Sequence, residues 1–190
     1  MAGQLKIGGN IIATHAGSEG AGTVTLDSST LTIGSNTTIS GSTIDSSTTF
    51  PAGHLIQTVT KEVRTSETTT SSSFAEMTGY AQSFTPKFNN SKIILTLSSS
   101  VYHNTDNGHG YITFYRDSTH LSDNNEGIRL FQVGHDGKAR WNFMYCTYVD
   151  TPNTTSAVTY KVYIRTTTGT FYLNYGSNYY SNFMIQEIKV

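Results

Sequence analysis

Two segments of this chain alternate between apolar and polar residues over most of their length. In SKIILTLSSSVYH (residues 91–103) aliphatic side chains alternate with Ser and Thr, and AVTYKVYIRTT (157–167) repeats the pattern with Thr, Lys, Tyr and Arg as outward residues. Side chains two positions apart share one face of a β-strand, so each segment predicts a strand with one buried face. The predicted inward residues are Ile93, Leu95, Leu97, Val101, Val158, Tyr160, Val162 and Ile164.

Shorter runs of the same kind extend over the rest of residues 55–190. They are LIQTVTKEVR, GYITFYRD, GIRLFQV and TFYLNY, and they are separated by the turn-forming clusters NTDNG, SDNNEG, HDGK, DTPNT and GSN. No amphipathic helical pattern interrupts them. Seven or more strands separated by turns predict an all-β head domain over residues 55–190, an antiparallel β-sandwich of the jelly-roll kind.

Two predicted strands are apolar on both faces. RWNFMYCTYV carries Trp141, Phe143, Tyr145 and Val149 on one face and Met144, Cys146 and Tyr148 on the other; NFMIQEIKV carries Phe183 and Ile185 opposite Met184, Ile188 and Val190. A strand of this kind needs a cover on its outer side, from a loop of the same chain or from a neighbouring subunit. We expect a neighbouring subunit, with Met144, Tyr148, Met184 and Ile188 as interface candidates.

The first 54 residues have a different composition. The stretch TVTLDSSTLTIGSNTTISGSTIDSS (23–47) is almost entirely Ser, Thr and Gly with isolated aliphatic residues, and no aromatic residue precedes Phe50. Such a segment buries too little apolar surface to offset its ordering entropy, roughly 1–2 kcal/mol per residue. It is either a flexible linker or a slender β shaft (23–54) in which three chains share one apolar axis. We favour the shaft, with Ile33, Ile39 and Ile44 on the axis of a homotrimer.

Composition narrows the classes of function. Charged residues make up 13% of the chain, the net charge is −1, and the two signs are interspersed, which argues against a nucleic-acid partner or a membrane surface. The single cysteine, Cys146, excludes an intrachain disulfide, and the chain has neither a signal-peptide pattern nor a membrane-spanning run. We therefore expect a soluble protein without membrane insertion, folded in a reducing cytoplasm, in which Cys146 is a buried, unreactive residue.

A family resemblance rests on several short motifs in order. FPAGHLIQTV, SKIILTLSSSV, TFYRDSTHL, YVDTPNTTSAVTYKVYIRTTTG and a closing MIQEI span residues 50–190 and resemble the C-terminal domain of phage tail-fibre-like structural proteins, common in phages of marine and freshwater bacteria. The resemblance implies a trimeric β-sandwich head on a slender shaft, carried on the virion and used to touch the host surface. It also implies an N-terminal docking segment. We assign that segment to residues 1–22, with Leu5, Ile7, Ile11 and Ile12 as candidates.

No catalytic or cofactor motif emerges from the sequence. His103 and His109 flank NTDNG, but their spacing with Asp106 matches no familiar zinc pattern, and the 13 acidic residues offer no recognisable catalytic pair. We expect no metal, no cofactor and no enzymatic activity. We instead interpret this turn as an exposed hairpin tip and NYGSNYYSN (174–182) as an aromatic loop. The receptor-contact candidates are His103, Asp106, Asn107, His109, Tyr175, Tyr179 and Tyr180.

Taken together, these features predict a virion structural protein assembled in the host cytoplasm. We expect a short homotrimeric fibre that binds other virion proteins through its N-terminus and a host-surface glycan or protein receptor through its head. A capsid decoration or cement protein is the alternative, since a shaft of about 50 residues reaches only a short distance at about 3.5 Å per residue. A glycan-degrading tailspike is disfavoured because no acid pair is recognisable.

Overall fold

The computed structural model describes the backbone of residues 3–7, 10–15 and 140, and the complete residues 51–122, 124–132, 141–176 and 179–190. The chain divides into two compact units, Met1–Ile44 and Asp45–Val190. In the first unit, β1 (Gly3–Ile7) and β2 (Asn10–His15) form an antiparallel hairpin with a register shift between Leu5 and Lys6. The docking candidates Leu5, Ile7, Ile11 and Ile12 lie on these strands. The predicted shaft residues Ile33, Ile39 and Ile44 lie outside the described residues.

The second unit contains the other eleven described strands. They are β3 (Leu55–Val63), β4 (Glu67–Thr69), β5 (Ala75–Phe84), β6 (Lys92–His103), β7 (His109–Arg116), β8 (Thr119–His120), β9 (Arg129–Gln132), β10 (Arg140–Asp150), β11 (Val158–Thr166), β12 (Phe171–Leu173) and β13 (Ser181–Ile188). The first of them begins at Leu55, the residue at which the alternating sequence pattern begins.

The strands form two antiparallel sheets. In the larger sheet β13 lies between β3 and β6, and β10 pairs along the whole opposite edge of β6. In the smaller sheet the order is β5, β11 and β7, with β8 and β9 pairing the two ends of β7. The eight principal strands, numbered 1 to 8 along the chain, are β3, β5, β6, β7, β8, β10, β11 and β13. In this numbering the strand order is 1-8-3-6 in the larger sheet and 2-7-4-5 in the smaller sheet. This is the jelly-roll arrangement, so the predicted all-β fold is confirmed.

The hydrophobic core lies between the two sheets, as the alternation predicts. In β11 every second residue from Val158 to Thr166 is buried, while the residues between them are half-buried. In β6, Ile93, Leu95 and Leu97 are fully buried, and the inner faces of both sheets meet at ring contacts such as Phe114 with Phe183, whose centroids are 5.6 Å apart. The head is therefore stabilised by the packing of the apolar inner faces of the two sheets against each other.

A partly buried ion pair connects the two sheets at the end of β10. Asp150 is 7% exposed, and both its carboxylate oxygens accept hydrogen bonds of 2.7 Å from Arg116 Nη1 on β7. The hydroxyl of Tyr160 on β11 donates a third bond of 2.8 Å to the same carboxylate. Burial, with the nearby Asp150 carboxylate, raises the pKa of Tyr160. The ion pair fixes which face of β10 points inward, because an unpaired Asp150 at this position would be strongly destabilising.

A second buried carboxylate, Glu187 on β13, organises the turn between β5 and β6. It is fully buried and accepts hydrogen bonds from the backbone N–H groups of Lys87 and Phe88, from Ser91 Oγ and from Gln57 Nε2, at 2.6–3.0 Å. Several donors of this kind compensate for the cost of burying the carboxylate. One side chain thereby holds the turn against the larger sheet.

Candidate functional surfaces

The outer face of the larger sheet carries an unusually exposed apolar surface. Trp141, Phe143, Tyr145 and Val149 project from β10 with 53%, 62%, 61% and 50% of their surface in contact with water. We call these four residues the β10 apolar row. In the part of the chain that the structure describes, β10 pairs only with β6, so the row lies on an edge strand. An exposed apolar patch on an unblocked edge strand is typical of a surface that another chain covers.

A shallow apolar cavity lies beside one end of this row. Its volume is about 230 Å³, and it is lined by Ser100, Trp141, Asn142, Phe143 and Tyr179. It forms because β6 directs small side chains outward next to the large rings: Ser100 is opposite Phe143 in the register of the two strands. The surface therefore combines projecting rings with a recess of similar chemical character.

The predicted aromatic loop divides into a packed part and an exposed part. Tyr175 is half-buried and stacks on Tyr102, with ring centroids 4.0 Å apart. Tyr179 is 40% exposed and meets Trp141 edge to face at 5.2 Å. Tyr180 is 50% exposed, and the Arg64 guanidinium lies 4.6 Å from its ring centroid. Tyr179 thus extends the β10 apolar row, whereas Tyr180 lies beside Arg64, the residue that follows β3.

The β10 interface candidates need correction. Met144 is buried in the core and Tyr148 packs against it, so neither projects toward a neighbouring subunit. The inward direction follows from the ion pair of Asp150, which lies on the same face of the strand. On β13, Met184 and Ile188 are half-buried and alternate with the fully buried Phe183 and Ile185. They remain candidates on the outer face.

His103 was expected at an exposed hairpin tip, and this placement is wrong. The alternation of β6 continues through His103, which is fully buried and stacks with Phe171 at 6.1 Å. The backbone N–H of Thr105 donates to its Nδ1, and its Nε2 lies 2.8 Å from Thr166 Oγ1. Burial lowers the pKa of His103, so the ring is neutral at physiological pH.

The other residues of this turn lie at the tip itself. Asn107 is exposed and adopts a positive φ of 57°, which asparagine tolerates in tight turns. Asp106 and His109 are half-buried. Among the described residues, no group of three or more His, Cys, Asp or Glu side chains is arranged to hold a metal ion. No helix long and apolar enough to cross a membrane occurs in the described part of the chain.

Cys146 lies where its strand pattern predicts. It is 5% exposed within the core, and burial raises the pKa of its thiol to about 12, with Arg129 opposing the shift. The thiol is therefore protonated at neutral pH, and the prediction of a buried cysteine is confirmed.

The outer face of the smaller sheet is built differently, from planar groups that stack on one another. Tyr115 lies between Tyr163 and His120, with centroid separations of 3.9 Å and 4.8 Å, and His120 contacts Phe74 at 5.3 Å. The Arg165 guanidinium lies 3.7 Å from the ring centroid of Tyr111 and 5.4 Å from that of Phe74. We call these six residues the planar stack. Most of its members are half-buried.

A polar cavity of about 510 Å³ opens within the planar stack. Two loop segments and three strands meet there, and the lining residues are Ser72, Ser73, Phe74, Tyr115, His120, Asn125 and Arg165. The sequence pattern gave no indication of this cavity beyond the outward position of Arg165 on β11. The other lining residues belong to two loops and to β7 and β8, which are distant from Arg165 in the sequence.

Comparison with solved structures finds several similar chains, among them two VP2 structures. No family model matches the chain, and no curated protein matches it. A mutant VP2 protein of infectious bursal disease virus, in derived T=1 particles, has a TM-score of 0.37 at 10% identity over 80% of this chain. A VP2 subviral particle of the same virus has a TM-score of 0.36 at 13% identity over 78% of this chain. The chain spans 41% of the length of either VP2 protein. At these values, the function has to be argued from the residues of the chain itself.

Proposed function

We propose that this protein is a virion structural protein that forms a homotrimer and contacts a host-surface receptor through its jelly-roll head. The observation that carries the proposal is the β10 apolar row, four large side chains with half or more of their surface exposed on an edge strand. The motif resemblance over residues 50–190 to phage tail-fibre-like proteins supplies the virion setting.

Other copies of the same chain are the best occupants of the β10 apolar row. The row contains no charge, so identical copies meet there without like-charge repulsion. Its apolar recess beside Trp141 and Phe143 can receive a large side chain from a neighbouring subunit. A trimer would also bring three copies of the Ser/Thr/Gly-rich segment together, so that their few aliphatic residues can be buried against one another.

The remaining roles follow from this arrangement. The hairpin of β1 and β2 carries the aliphatic docking candidates and is assigned to contact other virion proteins. Head surfaces outside the trimer interface are assigned to the receptor. Three heads on one trimer, and several trimers on one particle, convert weak single contacts into stable attachment.

The test has two parts. Light scattering on the purified full chain should give three times the chain mass of 20.8 kDa, and a monodisperse monomer would contradict the trimer. Labelled antibody against the head should decorate intact particles at discrete positions and reduce adsorption to host cells. If particles are not labelled, the virion assignment is wrong whatever the oligomeric state.

A further inference from the structure

The cavity on the smaller sheet has the features of a built binding site. Its volume of about 510 Å³ lies within the roughly 300–1,000 Å³ range of small-molecule sites and is large enough for one or two sugar rings. Phe74 supplies a ring face, Tyr115 supplies a ring edge, Ser72 and Ser73 supply hydroxyls, and Arg165 supplies a positive charge. A site of this composition favours a ligand with an apolar face, several hydroxyls and a negative charge.

Arg165 is fixed in position but not neutralised. Its Nε and Nη2 donate to the carbonyl oxygen of Asn125 at 2.9 Å and 2.6 Å, and its guanidinium plane lies over Tyr111. Among the described residues, no carboxylate lies within ion-pair distance of it, whereas Arg116 and Lys161 on the same sheet are both paired. A guanidinium has five N–H donors, and the two bonds to Asn125 use only part of that capacity.

His120 contributes a ring face rather than a charge. Its Nε2 lies 2.9 Å from both Thr113 Oγ1 and Ser122 Oγ, and burial lowers its pKa, so the imidazole is neutral at pH 7. The cavity therefore presents one cation from the described residues. One guanidinium matches a monovalent carboxylate in two parallel hydrogen bonds, whereas a phosphate dianion usually requires a second cation.

We propose that this cavity binds a carboxylated saccharide, of which a hexuronic acid is the simplest form. The carboxylate pairs with Arg165, the apolar face of the sugar ring lies on Phe74 beside the ring edge of Tyr115, and ring hydroxyls bond to Ser72, Ser73 and Asn125. This inference deepens the proposed receptor-contact function by naming the ligand class and the place on the head where it binds.

The experiment compares small probes on the full-length protein by NMR titration. The probes are methyl glucuronide, methyl glucoside, which lacks only the carboxylate, and acetate, which lacks the ring, with inorganic phosphate as a separate anion. We expect methyl glucuronide to bind at least about tenfold more tightly than either fragment, since a charge-assisted hydrogen bond contributes at least that factor. Nuclear Overhauser contacts should join the sugar protons to ring protons of Tyr115 or Phe74.

Two variants isolate the contribution of the charge. Arg165→Gln should reduce methyl glucuronide affinity at least about tenfold, to the level of methyl glucoside. Arg64→Gln removes an exposed arginine from the other sheet and should leave both affinities unchanged. If Arg165→Gln does not fold, the ring contacts and the preference for glucuronide in the unmodified protein still decide the question.

Several results would overturn the inference. They are equal affinity for the charged and uncharged sugar, tighter binding of phosphate or acetate than of the glucuronide, or sugar contacts away from Phe74 and Tyr115. The outcome is separable from the proposed function. Labelled particles without glucuronide binding would refute only this cavity assignment, whereas glucuronide binding by a protein absent from particles would refute only the virion role.

Discussion

The two outer faces of the jelly roll use aromatic residues in opposite ways. On the smaller sheet the rings stack on one another and on Arg165, and their polar groups bond to neighbours such as Glu76. On the larger sheet Phe143 and Tyr145 project into water with more than half of their surface exposed. The residues of the first face pack on one another within one chain, whereas the rings of the second face are exposed, and we propose that another copy of the chain covers them. The number of aromatic residues therefore says little about function unless it is also known which groups pack on each ring.

The largest expected effect is a loss of self-association, which we expect from substitutions on the larger sheet and not from a substitution on the smaller sheet. Replacing Phe143 and Tyr145 together by Glu places repelling charges on the β10 apolar row of every copy and should dissociate the proposed trimer into monomers. Light scattering measures the change. Thr119→Glu, on the exposed edge of the smaller sheet, is the control and should leave the mass unchanged. An equal loss of mass in the control would contradict the assignment of the interface to the larger sheet.

The second prediction compares the two faces by subunit stability. Tyr115→Ala removes two ring contacts and half-buried surface, and should lower the free energy of unfolding by about 2 kcal/mol. Phe143→Ala in a dilute monomer removes an exposed ring and should change it by less than about 0.5 kcal/mol. Urea unfolding monitored by fluorescence gives both values. Similar costs at the two positions would mean that the face around Phe143 is covered within the subunit.

The third prediction concerns pH, because each sheet holds a histidine whose pKa is lowered by burial: the fully buried His103 on β6 and the half-buried His120 on β8. Burial lowers the pKa of both His103 and His120 below the usual value of about 6.5. The unfolded chain then binds more protons than the folded chain below that pH, so stability is complete above about pH 6.5 and falls on acidification. The slope of unfolding free energy between pH 7 and pH 5 should decrease in His103→Gln and, to a smaller extent, in His120→Gln. An unchanged slope in both variants would show that neither histidine is neutral in the folded state.

The smallest expected effect is a difference in stability between two variants, each of which removes an ion pair on one of the two faces. Lys161 Nζ lies 3.0 Å from Glu76 Oε2, with both side chains about a quarter exposed, and Lys161→Met should cost about 1 kcal/mol. Burial would raise the pKa of Glu76, but hydrogen bonds from Lys161 and Tyr163 outweigh it and lower the pKa. Arg64 pairs with Glu62 while 68% and 45% of the two side chains are exposed, and Arg64→Gln should cost no more than about 0.5 kcal/mol. Thermal melting of both variants makes the comparison, and a larger loss for Arg64→Gln would reverse it.

Strand pattern alone predicted the fold class and much of the core. Alternation placed Ile93 and Val162 inward, and the same alternation, extended two residues beyond Val101, would have placed His103 inward as well. For β10 the pattern predicted apolar residues on both faces of the strand and did not show which face points into the core. The choice is made by Arg116 and Tyr160, which lie on other strands and hold Asp150. Where local periodicity does not show which face of a strand is buried, contacts with strands that are distant in sequence determine it.

The cavity illustrates the same limit for function. Phe74, His120, Asn125 and Arg165 come together only because the jelly roll places β8, β11 and two loops side by side. None of these residues forms a sequence motif with its neighbours. A site assembled from isolated residues on separate elements can be found only after the fold is known.

The position of β13 has a consequence for how the head is made during translation. β3 begins the head, yet in the described structure its sheet partner is β13, which lies more than a hundred residues later in the chain. At about 5–20 residues per second, a ribosome leaves β3 unpaired for several seconds before its partner emerges. The larger sheet therefore closes only after β13 has been synthesised. A chain that ends before Ser181 leaves open the edges of β3 and β6 that pair with β13, and chaperones and proteases can recognise such edges.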